Sequence, residues 1–279
     1  MYFGAHVSIA GGIFNAPLNA AALGCEVFQI FSRSPRGGHV PPLTKDIVAL
    51  FKKNCELTAQ REWYIHTPYF IHFGSSNNRI KHGSISVLRE ELERGTLIGA
   101  RYVMTHLGSY KDLGREGGFA QLIDGLNEVL KDYKGTTQLL IEISAGSGEV
   151  IGSSFEEIAE IVHHPKLKKY DIGVCLDTQH AFASGYDIRT PEMVQKTLKN
   201  FDATIGLSKL RLSHCNDSKV EFEACRDRHE HIGAGFIGRA GFEALFSSPL
   251  LPDINFILET EPDGVHEDLK TLKEIRKTL

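Results

Sequence analysis

The chain has 279 residues, 42% hydrophobic and 24% charged, with a formal net charge of −4 at pH 7. That is enough apolar material for a sizeable soluble core, and the acidic balance by itself argues against a plain basic nucleic-acid binder, although bound cations would change the field at a site. No apolar stretch approaches the roughly 20 residues of a membrane helix, which excludes an integral membrane protein of helical type. The leading segment MYFGAHVSIAGG has neither the charged start nor the long apolar run of a signal peptide. Five cysteines (Cys25, Cys55, Cys175, Cys215, Cys225) without CxxC spacing read as reduced, mostly buried thiols. A cytoplasmic monomer is expected.

Taken in order, Tyr2–Val7 is a short apolar strand, followed by a Gly11-Gly12 turn and a helical stretch through Leu23. Glu26–Phe31 is a second strand that opens into the loop SRSPRGGHVPP. Thr44 is placed to cap the next helix, with Leu43 and Val48 as a hydrophobic staple, and that helix runs to about Ala59. Glu62–Ile65 forms a third strand ending in His66, and Ile85, Leu88 and Leu92 then mark one helix face. The strand RYVMT ends in His106, and Phe119, Leu122, Ile123, Leu126, Val129 and Leu130 repeat with a helical period.

Gln138–Ile141 is a fifth strand ending in Glu142, and Ser154 with Glu157 fits a capping box for the helix that follows. Val174–Leu176 runs into Asp177, with His180 three residues on. An aspartate there must be partnered, by a helix cap, a hydrogen bond or a metal. Thr190-Pro191 opens another helix, Lys209–Ser213 is a seventh strand ending in His214, and Asn255–Leu258 an eighth ending in Glu259. Val265, Leu269, Leu272 and Ile275 close the chain with an amphipathic helix.

Eight strands alternating with helices, with no linker between them, predict a single domain over residues 1–279: an α/β fold, the eight-stranded parallel (β/α) TIM barrel. In a barrel the strand C-termini converge on one face, so His66, His106, Glu142, Asp177, His214 and Glu259 would share one cavity. Three imidazoles and three carboxylates suit zinc, manganese or iron, and the carboxylates would repel one another without cations. His180 and the loop pair Asp227 and His229 add three more candidates. Nine ligands with some sharing suit three ions, and neighbouring ions suit phosphodiester hydrolysis.

With these residues in view, the chain resembles the endonuclease IV family, zinc-dependent nucleases that incise DNA at abasic sites. The likeness spans the whole length through AHVSIAGG (5–12), HTPY (66–69), HLGS (106–109), DTQHAFASGYD (177–187), HCNDSK (214–219), DRHEHIGAGFIG (227–238) and LET (258–260). It implies three zinc ions. His66 and His106 would hold the first, with Glu142 bridging to the second. Asp177, His214 and Glu259 would complete the second, and His180, Asp227 and His229 the third. It also implies hydrolysis of the phosphate 5′ of the lesion in double-stranded DNA, with Arg36, Tyr69 and Phe70 as DNA-binding wedge positions. The competing reading of Tyr69 and Phe70 is ordinary core aromatics.

The sequence departs from the family pattern at Gln179, where cysteine is usual, and at Ile143-Ser144, Ala234, Phe236 and Gly37-Gly38. None of these touches a ligand on this reading, so they bear on lesion preference and DNA affinity. Gly233–Gly238 does not follow a strand directly and reads as a tight loop placing His229, rather than a phosphate cradle. His163, His164 and His231 read as surface or supporting residues. The alternative function is a metal-dependent sugar isomerase or epimerase on a similar barrel, which would use Glu142, Asp177, His214 and Glu259 and have no need of the other five. A DNA-damage binder without hydrolysis would be expected to lack a ligand, and none is missing.

Overall fold

The computed structural model describes residues 1–38 and 40–279. Its eight principal strands are β1 (Phe3–His6), β2 (Val27–Phe31), β3 (Trp63–His66), β4 (Tyr102–Thr105), β5 (Gln138–Glu142), β6 (Gly173–Asp177), β7 (Leu210–His214) and β8 (Asn255–Leu258). Each pairs in parallel with its sequence neighbours, and β8 pairs with β1 to close the barrel. The expected fold is the observed one, with strand limits shifted by a residue or two. His106 and Glu259 lie just past the last paired residues of β4 and β8.

Side-chain alternation within these strands decides what faces the lumen. Val27, Tyr64, Tyr102, Met104, Leu140, Cys175, Leu212 and Ile257 form one buried cluster inside the barrel, while Phe28, Ile65, Val103, Ile141, Val174 and Leu258 belong to the larger core under the helices. Two residues beyond a lumen residue, the next side chain points inward again. Tyr64 therefore leads to His66, Met104 to His106, Leu140 to Glu142, Cys175 to Asp177, Leu212 to His214 and Ile257 to Glu259. The apolar layer is the floor of the site.

The outer helices carry the expected caps. Thr44 and Thr190 accept hydrogen bonds from Ile47 and Met193 backbone N–H groups. The box at Ser154 is only half formed. Ser154 Oγ accepts from Glu157 N at 3.2 Å, but the Glu157 carboxylate turns to Gly152 N at 2.6 Å. A short antiparallel ladder, Asp217–Ser218 with His229–Glu230, follows β7. Among the described residues, no helix is long and apolar enough to cross a membrane.

Candidate metal centre

Three groups of His, Asp and Glu lie at the C-terminal end of the barrel, each with its ligand atoms within 4.8 Å of one another: His66, His106 and Glu142; Glu142, Asp177, His214 and Glu259; and Asp177, His180 and His229. In the first, Glu142 Oε2 is 3.1 Å from His66 Nε2 and 3.5 Å from His106 Nε2. In the second, His214 Nδ1 is 2.9 Å from Glu142 Oε1 and 3.2 Å from Glu259 Oε2. In the third, His229 Nε2 is 3.7 Å from Asp177 Oδ2, and Asp227 Oδ1 is 3.3 Å from His180 Nε2 and 3.4 Å from His229 Nε2. All nine candidates are thus brought together. Two carboxylates are shared, Glu142 between the first and second groups and Asp177 between the second and third.

The sharing of Asp177 follows from its position at the end of β6. Oδ1 accepts a hydrogen bond from His180 N at 2.8 Å and so caps the short helix Thr178–Ala183. Oδ2 is left facing the cavity, where Asn216 Nδ2 donates to it at 2.7 Å. The cap and the candidate ligand are the same residue, and the helix it starts is what delivers His180.

Backbone carbonyls orient the rings. Thr67 O lies 2.7 Å from His66 Nδ1, Ile143 O 2.9 Å from His180 Nδ1 and Glu259 O 3.2 Å from His229 Nδ1. Each carbonyl can only accept, so Nδ1 carries a proton and Nε2 is the nitrogen turned to the centre, where an ion could take it as a ligand. Among the described residues, the buried Nε2 atoms of His180 and His229 have no hydrogen-bond partner. Orphaned imidazole nitrogens beside carboxylates are the donor set a borderline cation requires, and the residues present fit such an ion. Burial opposes the charge on Glu142, but His106 and His214 hold its carboxyl well below the usual range. Partial desolvation beside the centre opposes the charge on Asp227, whose side chain is more than half exposed, but His180 and His229 draw it down to about 2.

The glycine-rich loop has a definite task. The carboxylate of buried Asp217 accepts backbone N–H groups from Gly233, Gly235, Ile237 and Gly238 at 2.9–3.3 Å. A Cβ on Gly235 would stand 2.4 Å from Ser218 O and 2.5 Å from Asp217 Oδ1, so only glycine allows the approach. These donors are spent inside the protein, which agrees with a tight loop rather than a phosphate cradle. His231 supports the same region through Asp268, 2.8 Å from its Nδ1, and His163 faces Ile205 O.

Two clefts of about 500 and about 390 Å³ meet at the centre, and Tyr69, His106, His180 and Asp227 line both. Tyr69 is 72% exposed and Phe70 40%, so neither is a core aromatic. Tyr69 stands edge-on to Phe31 at 5.2 Å. Arg36 is exposed on the neighbouring loop, whose Gly37 and Gly38 have φ of 90° and 107°. Arg94 holds the two sides of that loop through Ser32 O and Pro41 O.

Sequence reasoning missed four supporting residues. His6 at the end of β1 and Gln29 in the middle of β2 occupy inward positions, so strand alternation was the signal available for them. Asn216 and Asp217 follow β7, with no signal beyond the run HCNDSK. Burial, with His66 and His214 nearby, brings His6 down to about 3, and its Nδ1 faces Gln29 Nε2 at 3.0 Å.

Residues 17–277 match the family model of the xylose isomerase-like TIM barrel. A probable endonuclease 4 of Halothermothrix orenii is 37% identical over 99% of this chain and 100% of its own length, and one of Chlorobium phaeovibrioides is 39% identical over 96% and 97%. The crystal structure of endonuclease IV from Thermus thermophilus superposes with a TM-score of 0.88 at 32% identity, covering all of both chains. The chain belongs to the endonuclease IV family. A D-tagatose 3-epimerase-like protein, with a TM-score of 0.76 at 18% identity, shares the fold alone. Against the endonuclease IV pattern, two departures prove less remote than expected: Ile143 meets the His180 ring through its backbone carbonyl, and Gln179 adjoins the same histidine. Gln179 is buried beside His180, donates to Arg226 O at 2.9 Å and accepts from Arg228 N at 3.2 Å, bracketing the residue that carries the Asp227 carboxylate.

Proposed function

We propose that this protein is a zinc-dependent DNA repair endonuclease that hydrolyses the phosphodiester 5′ of abasic sites in double-stranded DNA, leaving 3′-hydroxyl and 5′-deoxyribose phosphate ends. The observation that carries the reading is the convergence of nine ligand side chains in three groups linked by two shared carboxylates. On this reading His66, His106 and Glu142 hold one zinc, Glu142, Asp177, His214 and Glu259 a second, and His180, Asp227 and His229 a third beside Asp177. Bound zinc would supply Lewis acidity and activated water at neutral pH. Glu142 sets the spacing of the first two groups and is the residue on which alignment of the reaction depends.

An abasic nucleotide offers no base to read, so recognition rests on local deformability of the duplex and on side chains that fill the gap. Exposed Tyr69 and Phe70 beside His66, with Arg36 on the adjacent loop, supply two stacking faces and a phosphate partner. Every proposed ligand comes from one chain, which suits a monomer. A sugar isomerase reading leaves His66, His106, His180, Asp227 and His229 without a purpose. The test is elemental analysis combined with incision of a duplex carrying one abasic site. About three ions and a single cut 5′ of the lesion are expected. One bound ion, with sugar isomerisation and no incision, would overturn the proposal.

A further inference from the structure

Gln29 is fully buried in the middle of β2, yet it reaches across the lumen to residues of β7 and the β8 end. Its Nε2 donates to Glu259 Oε1 at 2.6 Å, and its Oε1 lies 2.8 Å from His214 Nε2. These two contacts determine each other. A carboxylate only accepts, so Glu259 fixes which end of the amide is nitrogen. The amide oxygen also only accepts, so His214 must carry its proton on Nε2. His214 thereby presents Nδ1 to Glu142, Asp177 and Glu259, whereas the other candidate histidines whose Nδ1 faces a carbonyl present Nε2. A backbone carbonyl orients each of those rings; here a glutamine side chain does so.

We infer that Gln29 is a positioning residue for the ion held by Glu142, Asp177, His214 and Glu259, setting the His214 tautomer and holding Glu259 by its outer oxygen. This rests on the reading of His214 as a metal ligand. Both ends of the Gln29 amide are occupied by protein partners, Nε2 by Glu259 and His6 and Oε1 by His214, so its role runs through those residues. Partners of this kind typically alter metal affinity 10–100-fold. The wasted conformations they remove are an imidazole with Nε2 turned inward and a carboxylate swung away.

The test compares wild type with Gln29→Met, which keeps the length of the side chain and removes its hydrogen bonds to Glu259, His214 and His6, and with Gln29→Glu, which keeps the acceptor for His214 and loses the donor to Glu259. Zinc affinity is measured against a competing chelator, and 15N NMR of the histidine rings reads which nitrogen is metallated. In wild type, zinc shifts His214 Nδ1 and leaves a slowly exchanging proton on Nε2. In Gln29→Met the affinity of one ion falls about 10- to 100-fold and the Nε2 proton exchanges fast. Gln29→Glu keeps the slow Nε2 proton while losing affinity. Unchanged affinity and ring signals in Gln29→Met, beside an intact wild-type signature, would overturn the role of Gln29 alone. Absence of any zinc shift at His214 in wild type would overturn the ligand reading, and this inference with it.

Discussion

The two ends of the barrel both gather ionisable groups and partner them differently. At the N-terminal end carboxylates meet fixed cations. Glu26 takes both guanidinium nitrogens of Arg276 at 2.9 Å and Phe3 N at 3.0 Å, and Glu62 meets Arg101 and accepts from the Tyr64 hydroxyl. At the C-terminal end, among the described residues, the cationic groups within 4 Å of Glu142, Asp177, Asp227 and Glu259 are all imidazoles. An arginine neutralises an acid permanently and cannot ligate a metal. An imidazole can surrender its proton and offer a lone pair to the ion that replaces it. The choice of cation, together with the deeper burial of Glu142 and Asp177, separates the stabilising end from the functional one.

The comparison breaks most severely at Glu142. Glu142→Gln keeps the shape and removes the shared charge, so incision should fall by about three orders of magnitude or more while binding of abasic duplex persists. Single-turnover kinetics beside fluorescence anisotropy would measure both, and near-normal turnover would remove Glu142 from the mechanism. Stripping the metal with a chelator should abolish incision but leave the far-ultraviolet circular dichroism of the barrel, since the apolar lumen layer and the helices do not depend on the centre. His229→Ala should reduce the metal content by about one ion of three; unchanged content would dissolve the third group.

A smaller effect is expected at the rim. Tyr69→Ala with Phe70→Ala should weaken binding to abasic duplex by about 1–3 kcal/mol for each aromatic face that stacks on a base, at full zinc content. Titration of abasic and undamaged duplexes at one salt concentration provides the check, and equal discrimination in the variant would exclude a wedge.

The smallest effect belongs to the other end. Glu26→Gln should lower stability by about 1 kcal/mol or less without changing incision. Burial opposes the Glu26 charge, but Arg276 and Phe3 N outweigh it and hold the carboxyl below its ordinary value of 4.5. The contribution is therefore present above that value and fades as pH falls through the lower folded one. Acid unfolding of wild type should steepen there relative to the variant, and identical acid profiles would show the pair to be inert.

Much of this is legible in the chain alone. Strand and helix periods are local properties of the chain, and a single parity rule carries the lumen layer at Tyr64, Met104, Leu140 and Leu212 on to His66, His106, Glu142 and His214. Eight such units imply closure, and closure gathers the strand ends on one face. What the sequence could not decide is how side chains meet across that closed lumen. Asp177 reads as a cap or a ligand, and it is placed to be both because its two oxygens face different ways. The N–H groups of Gly233–Gly238 are open to two readings until the fold brings Asp217 to take them. Gln29 looks like one polar residue in an apolar strand, and its meaning lies in Glu259 and His214, more than 180 residues away along the chain. Periodicity follows from the backbone of each segment alone, whereas the orientation of an amide, the tautomer of a ring and the sharing of a carboxylate depend on partners that only the folded barrel brings within hydrogen-bond distance.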